Sequence, residues 1–404
     1  MTTLLSARNE RHLFWLLVAV ASLVVAAAFA AAHAMEEHGH SITGMSNQIV
    51  WGTPHIFAIF LIVAASGVLN VASIGSVFGK PVYKARAPLS GLLSLAMLAG
   101  GLAVLMLDLG RPERVVVAAT HFNFHSIFAL NVFLYSGMFA VVAVYLWTLM
   151  EARMNSYAKP LGLAALAWRF VLTTGTGSIF GFLVARQAYQ SALLAPMFIV
   201  LSFGWGLAVF LIVQSVIYAW NGLQLPPAVQ TRMVRLLGVF VATGLYFVVV
   251  YHMTNLYWAR QSAFERFLLL DGPVYPGLFW SGYVVLGAIA PMAISFSPLP
   301  RGPLAAVAAS AFVLVGAFAQ LYVFIIGGQA FPLEIFPGYV AKSTFWDGTV
   351  DTYAPSLPEL MLGVGGVGIA FLITAVGVRV LRFVPQDDFG AHAVGQAAVQ
   401  AARN

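Results

Sequence analysis

The sequence predicts an all-α polytopic membrane protein with ten transmembrane helices, and its composition is the first reason. Hydrophobic residues make up 61% of the 404 residues, charged residues make up 8%, and the mean hydropathy is +0.89. Soluble globular chains carry about a quarter charged residues, so a surface this apolar would not be stable in water. The composition therefore excludes a soluble enzyme and favours lipid as the solvent.

The second reason for predicting ten transmembrane helices is that the sequence contains ten apolar stretches. Each is long enough to supply the roughly 20 residues that a membrane-spanning helix needs. Basic residues, the first stretch and Ala32-His33-Ala34 resemble a secretory signal, but the apolar stretch is longer than a usual signal core. We therefore expect an uncleaved first span. The predicted spans are 13–33, 54–78, 87–107, 127–150, 161–185, 193–220, 233–253, 276–296, 303–327 and 358–381.

The distribution of charge between these stretches predicts the orientation. Cytoplasmic connections carry an excess of Lys and Arg, and placing the amino terminus inside puts 13 of the 20 Lys and Arg residues on the cytoplasmic side. Ten of the 14 acidic residues then lie outside. Both termini are predicted to be cytoplasmic. No basic run exceeds two residues, so the net charge of +6 does not indicate nucleic-acid binding.

The cysteine count and the histidine positions limit the cofactors. Without cysteine, the chain has no thiolate ligands for an iron–sulfur cluster and no attachment site for a c-type haem. Seven of the nine histidines fall at the predicted outer side and none at mid-membrane. A pair of b-haems stacked across the bilayer is thereby excluded, whereas a haem near the outer rim, held by His55 and His252, stays open.

A weak repeat and one long loop predict the organisation of the chain. Pro54 and Pro196 each open a span that enters from outside, four spans apart, which is consistent with two parallel four-helix bundles. The aromatic outer connection 328–357 is expected to dock a partner or to form an interfacial belt. The predicted regions are 1–48 (first helix and outer loop), 49–190 (helices 2–5), 191–328 (helices 6–9) and 329–404 (long loop, last helix and tail).

Polar residues inside the spans predict the functional positions. The second span carries His55, Ser66, Asn70 and Ser73 on one face, within about 60° of one another. Such a stripe must face protein or water, either as hydrogen-bonding contacts between helices or, for His55 at the outer mouth, as a functional group.

Asp108 closes the third span, and a carboxylate at that depth needs a partner. Arg111 and Arg114 follow within six residues and are the expected partners. The group could form a structural ion pair or relay protons to a bound redox molecule.

Two further spans carry buried polar groups. Asn131 and Tyr135 lie one turn apart near the outer end of the fourth span. Arg169, with Thr173 and Thr176 on the same face, lies inside the fifth span and either snorkels to the cytoplasmic surface or forms a polar path inward.

Two sequence matches are better explained without a ligand. Residues 363–368 fit the G-x-G-x-x-G dinucleotide pattern, but they lie inside an apolar span with no preceding strand, so close helix packing is expected. His33, Glu36, Glu37, His38 and His40 resemble a metal-binding tract and are expected to form a solvated outer loop.

Several motifs resemble the NrfD/PsrC family of polysulfide reductase membrane subunits. They are residues 107–114 (LDLGRPER), 122–128 (FNFHSIF), 51–55 (WGTPH) and 353–359 (YAPSLPE). The last is similar to the ten-helix branch that includes HybB and DsrP, and the residues around His55 and Asn123 look most like DsrP. The similarity covers most of the chain.

The resemblance implies a core of two four-helix bundles, helices 2–5 and 6–9, with peripheral first and last helices. It also implies a quinone, menaquinone or ubiquinone, bound near the outer side, with no iron–sulfur cluster and no haem in this chain. His55 matches the quinone-contacting histidine of the family by place, and Tyr135 is the candidate for its tyrosine. The family's asparagine has no clear counterpart, because Asn47 precedes the span and Asn70 lies deep within it.

The partners implied by the resemblance are an outer-face ferredoxin-like iron–sulfur subunit and, in the DsrP branch, a multihaem cytochrome c and a haem-b membrane subunit. We therefore expect a quinone-binding subunit of a respiratory complex in dissimilatory sulfur metabolism, located in the bacterial inner membrane and not catalytic alone. Its quinone site is expected to contain His55, Tyr135, Asn131 and His125. Asp108 and Arg111 are expected to handle protons, with Ser66, Asn70, Arg169 and Thr173 as an inner path. A secondary transporter and a haem-b quinol oxidoreductase subunit are the alternatives.

Overall fold

The computed structural model describes residues 4–5, 11–298, 302–333, 349–381 and 383–385. Ten helices in this part of the chain are long and apolar enough to cross a membrane, so the prediction of a ten-span all-α protein is confirmed. They are α1 (Arg11–His38), α2 (Thr53–Ser76), α3 (Ala87–Leu107), α4 (Ile127–Met150), α5 (Ala158–Gly181), α6 (Leu194–Trp220), α7 (Pro227–Tyr257), α8 (Tyr275–Phe296), α9 (Pro303–Ala330) and α10 (Leu357–Leu381).

Local chemistry determines where several of these helices begin. Proline stands in the first turn of α2, α3, α7, α8 and α9, where its missing N–H would have no partner inside the helix. Ser126 caps α4 by accepting a hydrogen bond from Ala129 N at 3.4 Å. Two helices contain π-helical turns, Leu278–Ile289 within α8 and Val323–Gly327 within α9.

Short elements complete the connections. They are helical turns at Gly39–Ile42, Pro81–Lys84, Pro112–Arg114, Val115–Thr120, Ala152–Tyr157, Ser262–Arg266 and Phe267–Asp271, and an antiparallel pair of two-residue strands, Leu4–Leu5 and Val384–Pro385.

α2 lies at the centre of the structure. Nearly all of its residues are buried, and it packs against α3, α5, α6, α9 and α10. Its crossing with α6 is a direct backbone contact, because a Cβ placed on Gly67 would lie 1.6 Å from Ser202 O. Small residues allow such close approach of membrane helices. The most buried of the ten helices, α2, therefore carries the predicted site residue His55 in its first turn.

The first and last helices pack against each other, and α10 also packs against α3. α10 presents Gly363, Gly365 and Gly366 to its neighbours, and a Cβ on Gly365 would lie 2.1 Å from Ala28 Cβ of α1. The glycine pattern in the last span is therefore a packing surface, as predicted. The division into two four-helix bundles stays a prediction.

Because consecutive spans alternate in direction, the odd-numbered helices end and the even-numbered helices begin on the same side. We call this side, which the charge distribution predicts to face outward, the outer side. Among the described residues it includes the connections 39–52, 108–126, 182–193 and 258–274, and residues 331–333 and 349–356. The long outer connection between α9 and α10 is rich in aromatic residues, and four of them lie outside the described residues: Phe336, Tyr339, Phe345 and Trp346.

Candidate functional site

The outer ends of α2 and α3 bring His55 and Asp108 into contact. His55 lies in the first turn of α2, directly after Pro54, and Asp108 directly follows α3. His55 Nδ1 lies 2.9 Å from Asp108 Oδ2, with the histidine side chain 22% exposed and the carboxylate side chain 2% exposed. The partner of Asp108 is thus His55 rather than Arg111 or Arg114, both of which are exposed.

The bonding of this pair is incomplete. Both carboxylate oxygens of Asp108 and Nδ1 of His55 are buried, and none has an aligned hydrogen bond within the described part of the chain. A buried carboxylate ordinarily accepts several hydrogen bonds. Asp108 therefore has unused acceptor capacity beside a histidine that is partly accessible.

Aromatic rings surround the pair. Trp51 stacks on His55 with ring centroids 6.0 Å apart and an interplanar angle of 29°. The Trp51 ring also contacts Phe128, Phe180 and Tyr189. Phe128, in the first turn of α4, is 47% exposed. His55 therefore lies beside an aromatic cluster whose accessible members, Trp51 and Phe128, could stack on a planar, apolar ring.

Residues distant in sequence fix the segment that carries Trp51. The side chain of Gln329 accepts hydrogen bonds from Val50 N and Trp51 N, both at 3.0 Å, and donates to Trp51 O at 2.9 Å. Arg186 donates to Gln48 O at 2.7 Å and to Gln329 O at 3.2 Å. Burial lowers the pKa of the Arg186 guanidinium. The backbone of residues 48–51 is thus held by side chains from the connection after α5 and from the end of α9.

A buried carboxylate fixes the start of α2. Glu359 is fully buried and accepts hydrogen bonds from the Tyr353 hydroxyl at 2.6 Å and from Gly44 N at 2.8 Å. The Tyr353 hydroxyl in turn accepts from Thr53 N at 2.6 Å. Burial and the neighbouring Glu359 raise the pKa of Tyr353. This network places His55 at a defined position, and the sequence did not reveal it because its members lie about 300 residues apart.

Asn131 and Tyr135 are both buried on the side of α4 that faces α5. Asn131 Nδ2 donates to Ile127 O at 2.8 Å, whereas its Oδ1 has no partner in the described chain. Tyr135 interacts with Thr176. Asn131 and Tyr135 lie one and two helical turns inward from Phe128, so they are deeper in the structure than the aromatic surface. His125 is exposed, and its backbone N–H donates to Asn123 Oδ1 at 2.9 Å.

Three of the four residues predicted to form an inner path are in contact. Arg169 is buried and donates to Ser66 O at 3.1 Å, and the Thr173 hydroxyl donates to Ser66 Oγ at 2.7 Å. The Arg169 guanidinium also lies over the rings of Phe170 and Phe203. Arg169 thus points to α2 and does not extend to the inner surface. Asn70 is buried one turn further inward, with Nδ2 unpartnered among the described residues.

A second histidine–carboxylate pair, which sequence reasoning did not predict, lies near the outer end of α7. His252 Nδ1 is 2.6 Å from Glu265 Oε2, and Asn255 Nδ2 donates to Glu265 Oε1 at 2.7 Å. The side chains of His252 and Glu265 are 13% and 0% exposed. The sequence signal that could have revealed this pair was an acidic residue, Glu265, close to the end of the helix that carries His252.

The histidine-rich segment is exposed, as expected, but His33, Glu36, Glu37 and His38 lie in the last turns of α1 rather than in a loop. His33 and Glu37 are exposed and pair at 3.3 Å, one turn apart on α1. Of the aromatic residues predicted in the long outer connection, Phe331 packs against Phe264 and Phe267, and Tyr353 packs against Tyr322.

Comparison with known proteins shows which family the chain resembles. Residues 41–333 match the family model described as "Polysulphide reductase, NrfD". The chain is 28% identical over 355 residues to the Hdr-like menaquinol oxidoreductase integral membrane subunit of Archaeoglobus fulgidus, covering 87% of this chain and 89% of the relative. It is 27% identical over 381 residues to a Halobacterium salinarum protein provisionally named as a membrane subunit of dimethyl sulfoxide reductase, covering 85% and 86%.

A third relative is a selenate reductase subunit of Mesobacillus selenatarsenatis. It is 20% identical over 386 residues, with 85% of this chain and 88% of the relative covered. The residues that match the family model, 41–333, span helices α2 to α9. A DsrP-like branch stays a prediction.

Proposed function

Because this chain belongs to the NrfD polysulphide reductase family, we propose that it is the quinone-binding membrane subunit of a respiratory oxidoreductase complex. It exchanges electrons between the membrane quinone pool and an iron–sulfur subunit docked on the outer side. The names of its relatives, a menaquinol oxidoreductase subunit and a selenate reductase subunit, support this proposal. The chain itself contains no cysteine to ligate a cluster, so the electron acceptor is a partner protein.

The observation that carries the proposal is the unsatisfied His55–Asp108 pair. Oxidation of a quinol releases two protons with its two electrons, so the site needs a proton acceptor within hydrogen-bonding distance. His55 is partly accessible, and its ring can accept that proton while the adjacent Asp108 carboxylate stabilises the resulting imidazolium. The carboxylate, whose oxygens lack aligned donors, can then take the proton on.

The surrounding side chains fit the rest of the ligand. Trp51 stacks on His55 and Phe128 contacts Trp51, and Phe128 is exposed in the first turn of α4. Asn131 Oδ1 and the Tyr135 hydroxyl lie further inward as polar groups for the opposite side of the quinone head. His125 and Arg111, both exposed in the adjoining connection, are proposed to act at the mouth of the site.

The remaining predictions form part of the same proposal. Regions 49–190 and 191–328 are the two halves of the core, flanked by 1–48 and 329–404, and the first half carries the site. The Ser66–Arg169–Thr173 contact, continued by Asn70, is a proposed inner proton path. The location is the bacterial inner membrane with cytoplasmic termini, and the partners are a ferredoxin-like subunit and, in a DsrP-type assembly, a multihaem cytochrome c and a haem-b subunit.

The proposal is tested by His55→Gln in the assembled complex. Quinol-dependent reduction of the acceptor should be lost while the complex still assembles, because glutamine keeps a polar group but cannot accept the proton. His33→Gln, a substitution at an exposed histidine of α1, is the matched control and should retain the wild-type rate. Full quinol-coupled turnover in the His55→Gln complex would overturn the proposal.

A further inference from the structure

The side chain of Gln329, at the outer end of α9, uses all of its hydrogen-bonding capacity on other parts of the chain. It is fully buried. Its amide oxygen accepts from Val50 N and Trp51 N, both at 3.0 Å, and its amide nitrogen donates to Trp51 O and Ile325 O, both at 2.9 Å. A glutamine side chain offers two donor hydrogens and two acceptor lone pairs. All four are filled, and three of the four bonds go to Val50 and Trp51.

The two bonds to Trp51 resemble the pairing of one residue in a β-sheet. Its N–H and its C=O both pair with the same amide group, as they would with a residue on a neighbouring strand. Residues 48–51 belong to no helix or strand in the described structure, so these backbone groups need partners from elsewhere. Because Gln329 fixes the peptide groups on both sides of Trp51, it sets the direction in which the indole leaves the backbone.

Tyr189 holds the indole ring itself. Tyr189 is fully buried, and its ring centroid lies 6.2 Å from that of Trp51. Its hydroxyl donates to Ile325 O at 3.0 Å, in the π-helical turn of α9. Ile325 O thus accepts from both Gln329 and Tyr189. π-helical turns are rare and are frequent at functional sites. One turn of α9 therefore anchors both side chains that position Trp51.

The orientation of the Trp51 ring determines what it can bind. The indole stacks on His55 at an interplanar angle of 29°, and the buried Phe180 packs edge-on against it at 85° with centroids 5.4 Å apart. Aromatic rings attract one another in offset-stacked or edge-to-face geometries and not in arbitrary ones. A change in the direction of the indole would therefore weaken its contact with a further planar ring beside His55.

We propose that Gln329 and Tyr189 are positioning residues for the quinol ring, because they hold Trp51 against His55 in the orientation that stacks on a planar aromatic ligand. This inference rests on the proposed function. Both side chains are fully buried. An amide side chain does not ionise, and a tyrosine hydroxyl titrates far above neutral pH. Their loss should therefore affect the KM for the quinol rather than the proton transfer that sets kcat.

A double-mutant cycle in the assembled complex tests this role. Gln329→Met, which removes all four bonds at similar side-chain length, should raise the KM several-fold with little change in kcat. The matched control is Gln320→Met, at a buried glutamine of the same helix whose Oε1 has no partner in the described chain; it should keep the wild-type KM. The substrate is decylubiquinol or menadiol, whichever the wild-type complex oxidises.

The combination with Trp51→Leu distinguishes positioning from a general structural role. Effects of residues that act through one another are not additive, whereas those of independent sites add. If Gln329 acts through Trp51, the double variant should have the KM of Trp51→Leu alone. Additive effects, or a wild-type KM in Gln329→Met, would overturn the inference. Full turnover in His55→Gln would instead overturn the proposed function on which it rests.

Hydrogen exchange measured by mass spectrometry supplies a readout that does not depend on turnover. The amides of residues 48–53 should exchange faster in Gln329→Met and at the wild-type rate in Gln320→Met, while those of α3 stay unchanged in both. Wild-type exchange at 48–53 in Gln329→Met would overturn the anchoring. If Gln329→Met does not assemble, Tyr189→Phe is decisive, because it keeps the ring and removes only the bond to α9. It should raise the KM and add nothing to Trp51→Leu, and a wild-type KM would overturn the inference.

Discussion

The two histidine–carboxylate pairs use the same residue types at the same side of the molecule, but their bonding differs. Glu265 receives His252 and Asn255 at 2.6 and 2.7 Å, one partner on each oxygen. Asp108 has His55 at 2.9 Å, with no aligned hydrogen bond to either oxygen in the described chain. The His55 side chain is 22% exposed, and that of His252 is 13% exposed. One pair is complete within the protein, and the other is not.

This difference in bonding indicates which of two chemically similar sites can accept a ligand. A carboxylate whose acceptors are filled by its own chain gains little from an organic ligand, whereas one with unfilled acceptors is stabilised when a ligand donates to it. Trp51 and the exposed Phe128 provide accessible aromatic surface near the first pair. The rings that contact His252, those of Tyr251 and Phe279, are buried. The first pair therefore leaves acceptor capacity for a ligand, whereas the second is filled by its own chain.

The largest expected effect is that of Asp108→Asn on quinol oxidation. Removing the proton-accepting carboxylate should lower the rate by about 10²-fold or more, which is the usual contribution of a positioned acid or base. Steady-state turnover of the assembled complex measures it. Glu113→Gln, at an exposed carboxylate five residues away, is the control and should be neutral. If Glu265→Gln reduced turnover more than Asp108→Asn, the assignment of roles to the two pairs would be reversed.

The free energy of unfolding should depend more on the second pair than on the first, which is the opposite of the order expected for turnover. Glu265→Ala leaves His252 and Asn255 without their acceptor, which costs about 1–3 kcal/mol for buried groups. Asp108→Ala removes a carboxylate that already lacks aligned donors, so it should destabilise less. Thermal unfolding of both variants in the same detergent compares them. A larger loss in Asp108→Ala would show that the first pair contributes more to folding than its geometry implies.

The ten helices were predictable because each crossing requires about 20 apolar residues, a signal contained within one segment. The predicted span 127–150 coincides with Ile127–Met150, and 54–78 differs from Thr53–Ser76 by two residues at most. The polar stripe on α2 was also predictable from the sequence, and Ser66 does contact Arg169 and Thr173. Periodicity on one helix is enough for such an inference.

The partners of the site residues were not predictable, because they depend on which helix ends meet. Asp108 was expected to pair with the arginines that follow it, yet its partner is His55, which lies on the preceding span. Gln329 and Glu359, which fix Trp51 and the start of α2, lie in the last quarter of the chain. No local pattern connects them to the second span, and only the packing of α9 and α10 brings them there.

A smaller effect is expected at the aromatic surface. Trp51→Leu should raise the KM for a quinol several-fold with little change in kcat, since an aromatic contact contributes about 0.5–1.5 kcal/mol beyond burial. Phe264→Leu, which replaces a buried ring in a cavity that His252 also lines, should leave the KM unchanged. Initial rates over a range of decylubiquinol concentrations would measure both. An equal increase in the KM of both variants would mean that the quinol does not bind specifically beside Trp51.

The smallest expected effect is that of Arg111→Gln. The DLGRP motif places Arg111 three residues after Asp108, but its side chain is exposed while His55 occupies the contact with the carboxylate. An exposed charge acts through water and contributes about 1 kcal/mol or less, so turnover should fall by no more than about fivefold, and the loss should shrink as salt is added. Arg114→Gln is the matched substitution on the same turn. A loss as large as that of Asp108→Asn, unaffected by salt, would mean that Arg111 reaches the carboxylate during turnover and that His55 is not its sole partner.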